Sequence, residues 1–208
     1  MKFTFWICLA CAAVLGAGCL SPKEDHSRFY TLSSGGSAEL GVAAPVGMGE
    51  YPLLFVSPVS LPRYLDRPAM VTRVGEVELV YSDEHFWAEP LSEGVSRRIR
   101  EALAARLGVD RVHAAEVRRP AEAYLDLQVN IGRFEVDAAG EAILAARWVM
   151  GMQPRGVTPL VGEGIYRRRV VSGDFLQGAR VAALAGCIDD LVEAMVTRLS
   201  EPGAVSED

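Results

Sequence analysis

Apolar residues recur at two spacings along this chain, and the spacing sorts it into strands and helices. Leu125, Leu127, Val129 and Ile131 alternate with Tyr124, Asp126, Gln128 and Asn130, the period-two pattern of a strand buried on one face. A strand is therefore predicted over residues 123–137. The turn at 138–141, Ala-Ala-Gly-Glu, then returns the chain as an antiparallel partner over 142–150. Leu91, Val95, Ile99, Leu103 and Leu107 form a helix-period stripe, which predicts a helix over residues 91–107 closed by Gly108. Leu184, Cys187, Ile188, Leu191, Val192, Met195 and Leu199 recur at three and four, predicting a last helix over about 174–199. Ser172-Gly173-Asp174 opens it and Pro202-Gly203 stops it.

Shorter segments complete a sheet. Residues 28–32 and 51–56 read as strands, with a Ser-, Gly-, Ala- and Pro-rich loop over 33–50 between them. Residues 70–73 and 77–81 pair as a hairpin across Gly75-Glu76, and residues 86–90 introduce the first helix. Residues 111–114 make a brief strand. Residues 162–171 make another, with Ile165 and Val171 inward and Tyr166 on the other face. Two long helices and mostly antiparallel strands in this order imply an α/β or α+β domain. One mixed sheet is flanked by two main helices, with no repeat and no second core.

The first eighteen residues do not belong to that domain. Lys2 is followed by an unbroken apolar run and then by Gly16, Ala17 and Gly18, the three parts of an export signal. Its length suits a cleaved signal, a permanent membrane anchor and plain secretion alike. Cys19 favours the first, because small residues before a thiol fit a peptidase site and the thiol accepts a diacylglyceryl group. Leu15-Gly16-Ala17-Gly18-Cys19 resembles the lipobox of bacterial lipoproteins, although the Leu stands one place early. The expected boundaries are a signal over 1–18, a lipidated tether over 19–27, the domain over 28–200 and an acidic tail over 201–208. By the sorting rule of Gram-negative lipoproteins, Leu20 after the acylated cysteine implies the outer membrane, with the domain facing the periplasm.

Charge and cysteine content narrow the functions. The chain carries 21 Lys plus Arg against 27 Asp plus Glu, a net charge of −6. No basic patch suggests nucleic acid, and Arg167-Arg168-Arg169 is read as a solvated run, with phosphate binding the alternative. Cys8 and Cys11 lie in the signal and Cys19 is the acylation site. Cys187 is thus left as a buried apolar residue with no disulfide partner. No nucleophile elbow, phosphate loop or zinc helix motif occurs, and His26, His85 and His113 stand far apart. No catalytic residue, cofactor or metal is expected.

Four motifs carry a family resemblance. Phe29-Tyr30-Thr31-Leu32 follows the cysteine. Residues 56–62, Val-Ser-Pro-Val-Ser-Leu-Pro, come next, then Tyr64-Leu65-Asp66-Arg67-Pro68, then Trp87-Ala88-Glu89-Pro90-Leu91. In this order and spacing the chain resembles the ABC-type transport auxiliary lipoproteins. The resemblance implies a fold like TolB amino-terminal domains. It also implies a non-enzymatic outer-membrane component of a system containing mammalian-cell-entry (MCE) proteins, which carries phospholipid between membranes. A periplasmic MCE-type subunit, further copies of the chain and phospholipid are the implied partners. A lipid carrier with an apolar pocket and a hydrolase assembled from distant residues remain the alternatives. Arg63, Tyr64, Asp66, Arg67, Phe86, Trp87 and Glu89 are the candidate contact residues, since aromatic and arginine side chains dominate protein interfaces. For Trp87 core packing competes with that role, and Asp66 has a simpler one in fixing its turn.

Overall fold

In the computed structural model, residues 25–32, 53–153, 159–171 and 176–201 are described. The elements run β1 (Arg28–Tyr30), β2 (Leu54–Val56), β3 (Ala69–Val74), β4 (Glu78–Trp87), α1 (Leu91–Leu107), β5 (Val112–Ala114), β6 (Tyr124–Asp137), β7 (Glu141–Gln153), β8 (Leu160–Arg169) and α2 (Leu176–Leu199). The strands join in one eight-stranded sheet around β6. Along one edge of β6 runs β7, antiparallel over almost its whole length, and β8 pairs antiparallel with β7 beyond it. The other edge is shared. The first half of β6 takes β2, parallel and backed by β5, and its last residues take β3, also parallel and backed by β4 and β1.

The alternation in β6 does what its sequence predicts. Leu125, Leu127, Val129 and Ile131 are all buried, facing α1 and α2. The pairing then slips between Ile131 and Arg133, and Gly132 is the extra residue. A bulge of this kind resets the alternation, so Phe134 and Val136 rejoin the core side and Glu135 points to the opposite face. On β7, Ala142, Leu144, Ala146, Trp148 and Met150 continue the same buried layer. The helix stripes close it: Val95, Ile99, Leu103 and Leu107 from α1, and Leu184, Ile188, Leu191 and Met195 from α2. Nη2 of Arg98 in α1 donates to both carboxylate oxygens of Asp189 in α2, at 2.6 and 2.7 Å, tying the helices across their seam. Cys187 is fully buried with its thiol 3.6 Å from the Ala142 carbonyl oxygen, and burial pushes its pKa up to about 11.

Two segments differ from expectation. Ile165 and Val171 are exposed, while Tyr166 is half-buried and packed on the core. The strand begins earlier, at Leu160, and Arg168 reaches across to Asp190 of α2 at 2.6 and 2.8 Å, which puts the even-numbered residues on the helix side. Phe86 and Trp87 do not lead into α1 but end a β4 that is longer than predicted, because β1 pairs with that end. The sheet is mixed and mostly antiparallel, as expected: the three antiparallel ladders are the long ones, and the four parallel pairings are short, two of them made where β6 accepts β2 and β3 on one edge. The expected opening and stop signals of the last helix, residues 172–174 and 202–203, lie outside the described residues, as do the 33–50 loop and the N-terminal signal.

β8 has one packing constraint that a substitution can isolate. A β-carbon at Gly162 would lie 2.5 Å from the Trp148 indole, whereas one at Gly151 would meet nothing closer than 3.7 Å. Gly162→Ala is expected to destabilise the fold by about 1–3 kcal/mol by overpacking, and Gly151→Ala by less than about 0.5 kcal/mol. Urea unfolding of the two variants checks this.

Candidate functional site

The chain between β2 and β3 follows β6 before it leaves it. Ser57 N–H donates to Leu127 O at 2.9 Å and Ser60 N–H to Val129 O at 3.0 Å, and Ile131 N–H donates back to Ser60 O at 2.9 Å. Opposite the Gly132 bulge the chain lifts away at Leu61-Pro62. Pro62 has φ −67° and ψ 148°, the extended geometry that proline prefers, and starts a single 3-10 turn over Arg63–Leu65. Leu65 N–H donates to Pro62 O at 2.9 Å and Asp66 N–H to Arg63 O at 3.2 Å. Leu65 is buried beneath the turn. The chain drops back into β3, and Trp87 N–H donates to Pro68 O at 2.7 Å, which fastens the end of the turn to the end of β4.

What the turn covers is a carboxylate. Glu135 is buried on the sheet face opposite the helices, its side chain fully covered. Tyr64 OH donates to its Oε2 at 2.7 Å, and Arg73 Nε and Arg133 Nε donate to its Oε1 at 2.6 and 2.9 Å. The Phe134 N–H also donates to Oε2, at 3.3 Å. Burial by itself raises the Glu135 pKa, but the three side-chain donors outweigh it and hold the carboxyl below the ordinary 4.5. Tyr64 is pushed well above its ordinary value, first by its own burial and then by the carboxylate it touches. Tyr81 OH donates to Tyr64 O at 3.1 Å, and the Arg67 guanidinium lies 5.1 Å from the Tyr81 ring centroid.

The candidate residues thus separate by role. Tyr64 is half-buried and committed to Glu135. Trp87 is buried in the core against Phe134, with ring centroids 6.4 Å apart, which removes it from the accessible surface. Glu89 is half-buried before α1 and pairs with Arg97, and Gly94 leaves room for its carboxylate. Arg63, Asp66 and Arg67 are exposed on the turn. Phe86 is half-exposed beside Phe29, their ring centroids 5.7 Å apart. Cys19 lies outside the described residues. Among the described residues no group of His, Cys, Asp and Glu is placed to hold a metal ion. His85 Nδ1 is 3.1 Å from Tyr30 OH.

Residues 30–196, well over half of the chain, match the family described as ABC-type transport auxiliary lipoprotein component. The chain belongs to that family. Among curated relatives, the intermembrane transport lipoprotein PqiC of Escherichia coli K12 is 27% identical over 143 residues, which cover 68% of this chain and 72% of PqiC. PqiC of Shigella flexneri matches with the same figures. A crystal structure of an uncharacterized protein superposes with a TM-score of 0.66 at 16% identity, covering 84% of this chain and 99% of its own. A Xanthomonas campestris protein of family DUF330 gives 0.54 at 21% identity, covering 72% and 86%. At these identities the two structures support the fold, one α+β domain with a mixed sheet and two helices.

Glu135 is the residue that sequence reasoning missed. Its local signal is a glycine inside a strand, Gly132, followed by an acid between Phe134 and Val136. Tyr64 and Arg73 lie more than sixty residues away, beyond the reach of any local pattern. Glu135→Gln is expected to lower stability by about 3–5 kcal/mol, because two arginines lose their buried counter-charge. The folded-state carboxyl titrates below its unfolded value. Its contribution is therefore complete at neutral pH and fades as pH falls through and below 4.5, so the gap between wild type and variant should close on acidification. Denaturation curves at pH 7 and pH 3.5 measure both effects.

Proposed function

We propose that this auxiliary lipoprotein is a non-enzymatic outer-membrane component of an MCE-type intermembrane lipid transport system. It is anchored through lipid on Cys19, faces the periplasm and contacts a periplasmic MCE subunit. The family match over residues 30–196 carries the reading, and the likeness to PqiC, an intermembrane transport lipoprotein, supports the transport role. Residues 1–18 are the removed signal, residues 19–27 the tether, and 28–200 the folded body. A homo-oligomer is the working form, as the resemblance implies.

The contact surface proposed is the 63–67 turn. Three of its side chains, Arg63, Asp66 and Arg67, are solvent-exposed, while its backbone is held from below by Tyr64 and Leu65. A surface fixed before binding loses little entropy on association, and two guanidinium groups with an acid beside them suit a polar, charge-bearing partner. The carrier alternative gains no such support. Two grooves of about 470 Å3 on the described surface are open and mixed in character: Ala145, Ala146 and Ile165 line one beside Asn130, Arg147 and Glu163, and Val56 and Pro58 line the other beside Glu89, Arg97 and Arg100, so neither is a wholly apolar cleft. Acyl chains need apolar walls.

A photoreactive residue at Arg63 or Arg67 of the full chain, in intact cells, is expected to capture an MCE-type subunit. The double substitution Arg63→Glu with Arg67→Glu should reduce co-purification of that subunit at least about tenfold, with stability lowered by no more than about 1.5 kcal/mol, chiefly from the lost Arg67–Tyr81 contact. Capture of no envelope protein from either position, with the chain folded and membrane-bound, would remove the turn as the contact.

A further inference from the structure

Phe29 is the most exposed aromatic among the described residues, with 66% of its surface open to solvent. It sits on β1, which among the described strands pairs with β4 alone and so forms one edge of the described sheet. In register it lies opposite Phe86, and the two rings form a tilted pair 5.7 Å apart. Their β1 and β4 neighbours, Tyr30 and Trp87, pack instead on or into the core. The ordered edge therefore displays two phenyl rings side by side, where burying them would remove apolar area from water.

The tether decides what covers this pair. Phe29 follows Cys19 by ten positions. Even fully extended, that length of chain keeps the ring within about 35 Å of an acylated cysteine, and a flexible chain averages roughly half of that. Residues on the opposite end of the strand path, such as exposed Val109 just before β5, have no such constraint. The charges beside the rings are mixed. Arg28 adjoins Phe29, and Asp83 and Glu84 precede Phe86, all exposed, so no basic patch draws the edge to anionic lipid. The aromatic area must carry the contact.

We infer that Phe29 and Phe86 seat the β1 edge on the bilayer surface beside the lipid anchor, so that the domain is held in one orientation and not merely at one membrane. Acyl chains on a flexible tether fix position without direction, and an apolar contact at the headgroup boundary supplies the direction. This rests on the lipoprotein reading of Cys19.

Benzoylphenylalanine in place of Phe29, or of Val109 as the control, in the full chain and in intact cells tests the seat. Adducts are identified by mass spectrometry and the same cells are fractionated. Position 29 is expected to give phospholipid adducts several-fold more abundant than position 109. A protein as the main adduct at 29, or equal lipid capture at both positions in a membrane-bound chain, overturns the seat while leaving the anchor intact. Recovery of the chain in the soluble fraction overturns the anchor and the seat with it. Phe86→Ser, which removes one ring from the neighbouring strand and leaves β1 unaltered, should cut the lipid adducts at 29; unchanged adducts would contradict a paired contact.

Discussion

A buried carboxylate has to be surrounded by donors, and in this protein that requirement shapes a whole face of the sheet. Glu135 reaches the side away from the helices only because the Gly132 bulge resets the alternation of β6. Once there it needs partners, and they come from three places: Tyr64 in the turn, Arg73 in β3 and Arg133 beside it. If the turn lifts, the buried carboxylate loses the phenol that donates to its Oε2, a bond to a charged group that is costly to leave unmade. Arg63, Asp66 and Arg67 therefore stand on a rigid base even though they lie in a connection outside regular strands.

Sharing of β6 organises the rest. Its buried face receives both helices, β7 occupies one edge, and β2 and β3 divide the other on either side of the bulge. The isolated bridge between Ser60 and Asn130 marks where the first of these partners ends. The proposed partner-binding turn thus sits at the one point on that edge where the ladder is interrupted. Loops that carry binding residues are often placed like this, on an irregularity that a scaffold holds in position. The β1 edge, with its two phenyl rings, is the second surface proposed to be functional.

Much of the scaffold is legible from residue patterns. The inward face of β6 and both helical stripes follow from periodicity alone, since Leu127, Ile99 and Leu191 need only burial to fix their side. Periodicity misleads where a long-range contact overrides local composition. Ile165 looks like a core residue, but the glycines at 162 and 164 let Trp148 and Tyr166 fill the space on the helix side, which leaves Ile165 outside. Phe86 and Trp87 read as a lead into a helix because nothing near them in sequence announces β1, more than fifty residues upstream, as their partner. The motif around Tyr64 marks it as a special position, but its side chain looks inward to Glu135, a residue no spacing rule connects to it.

Whether Glu135 holds the turn in one conformation can be read from amide hydrogen exchange. The reporters are Leu65 and Asp66, whose N–H groups close the turn onto Pro62 and Arg63, compared between wild type and Tyr64→Phe. Loss of the phenol should speed exchange at both amides at least about tenfold while the β6 and β7 amides keep their protection, a local opening worth about 1.4 kcal/mol or more. Equal protection of the turn in the two proteins would show that backbone and packing suffice, and would contradict a buried carboxylate that fixes the contact surface.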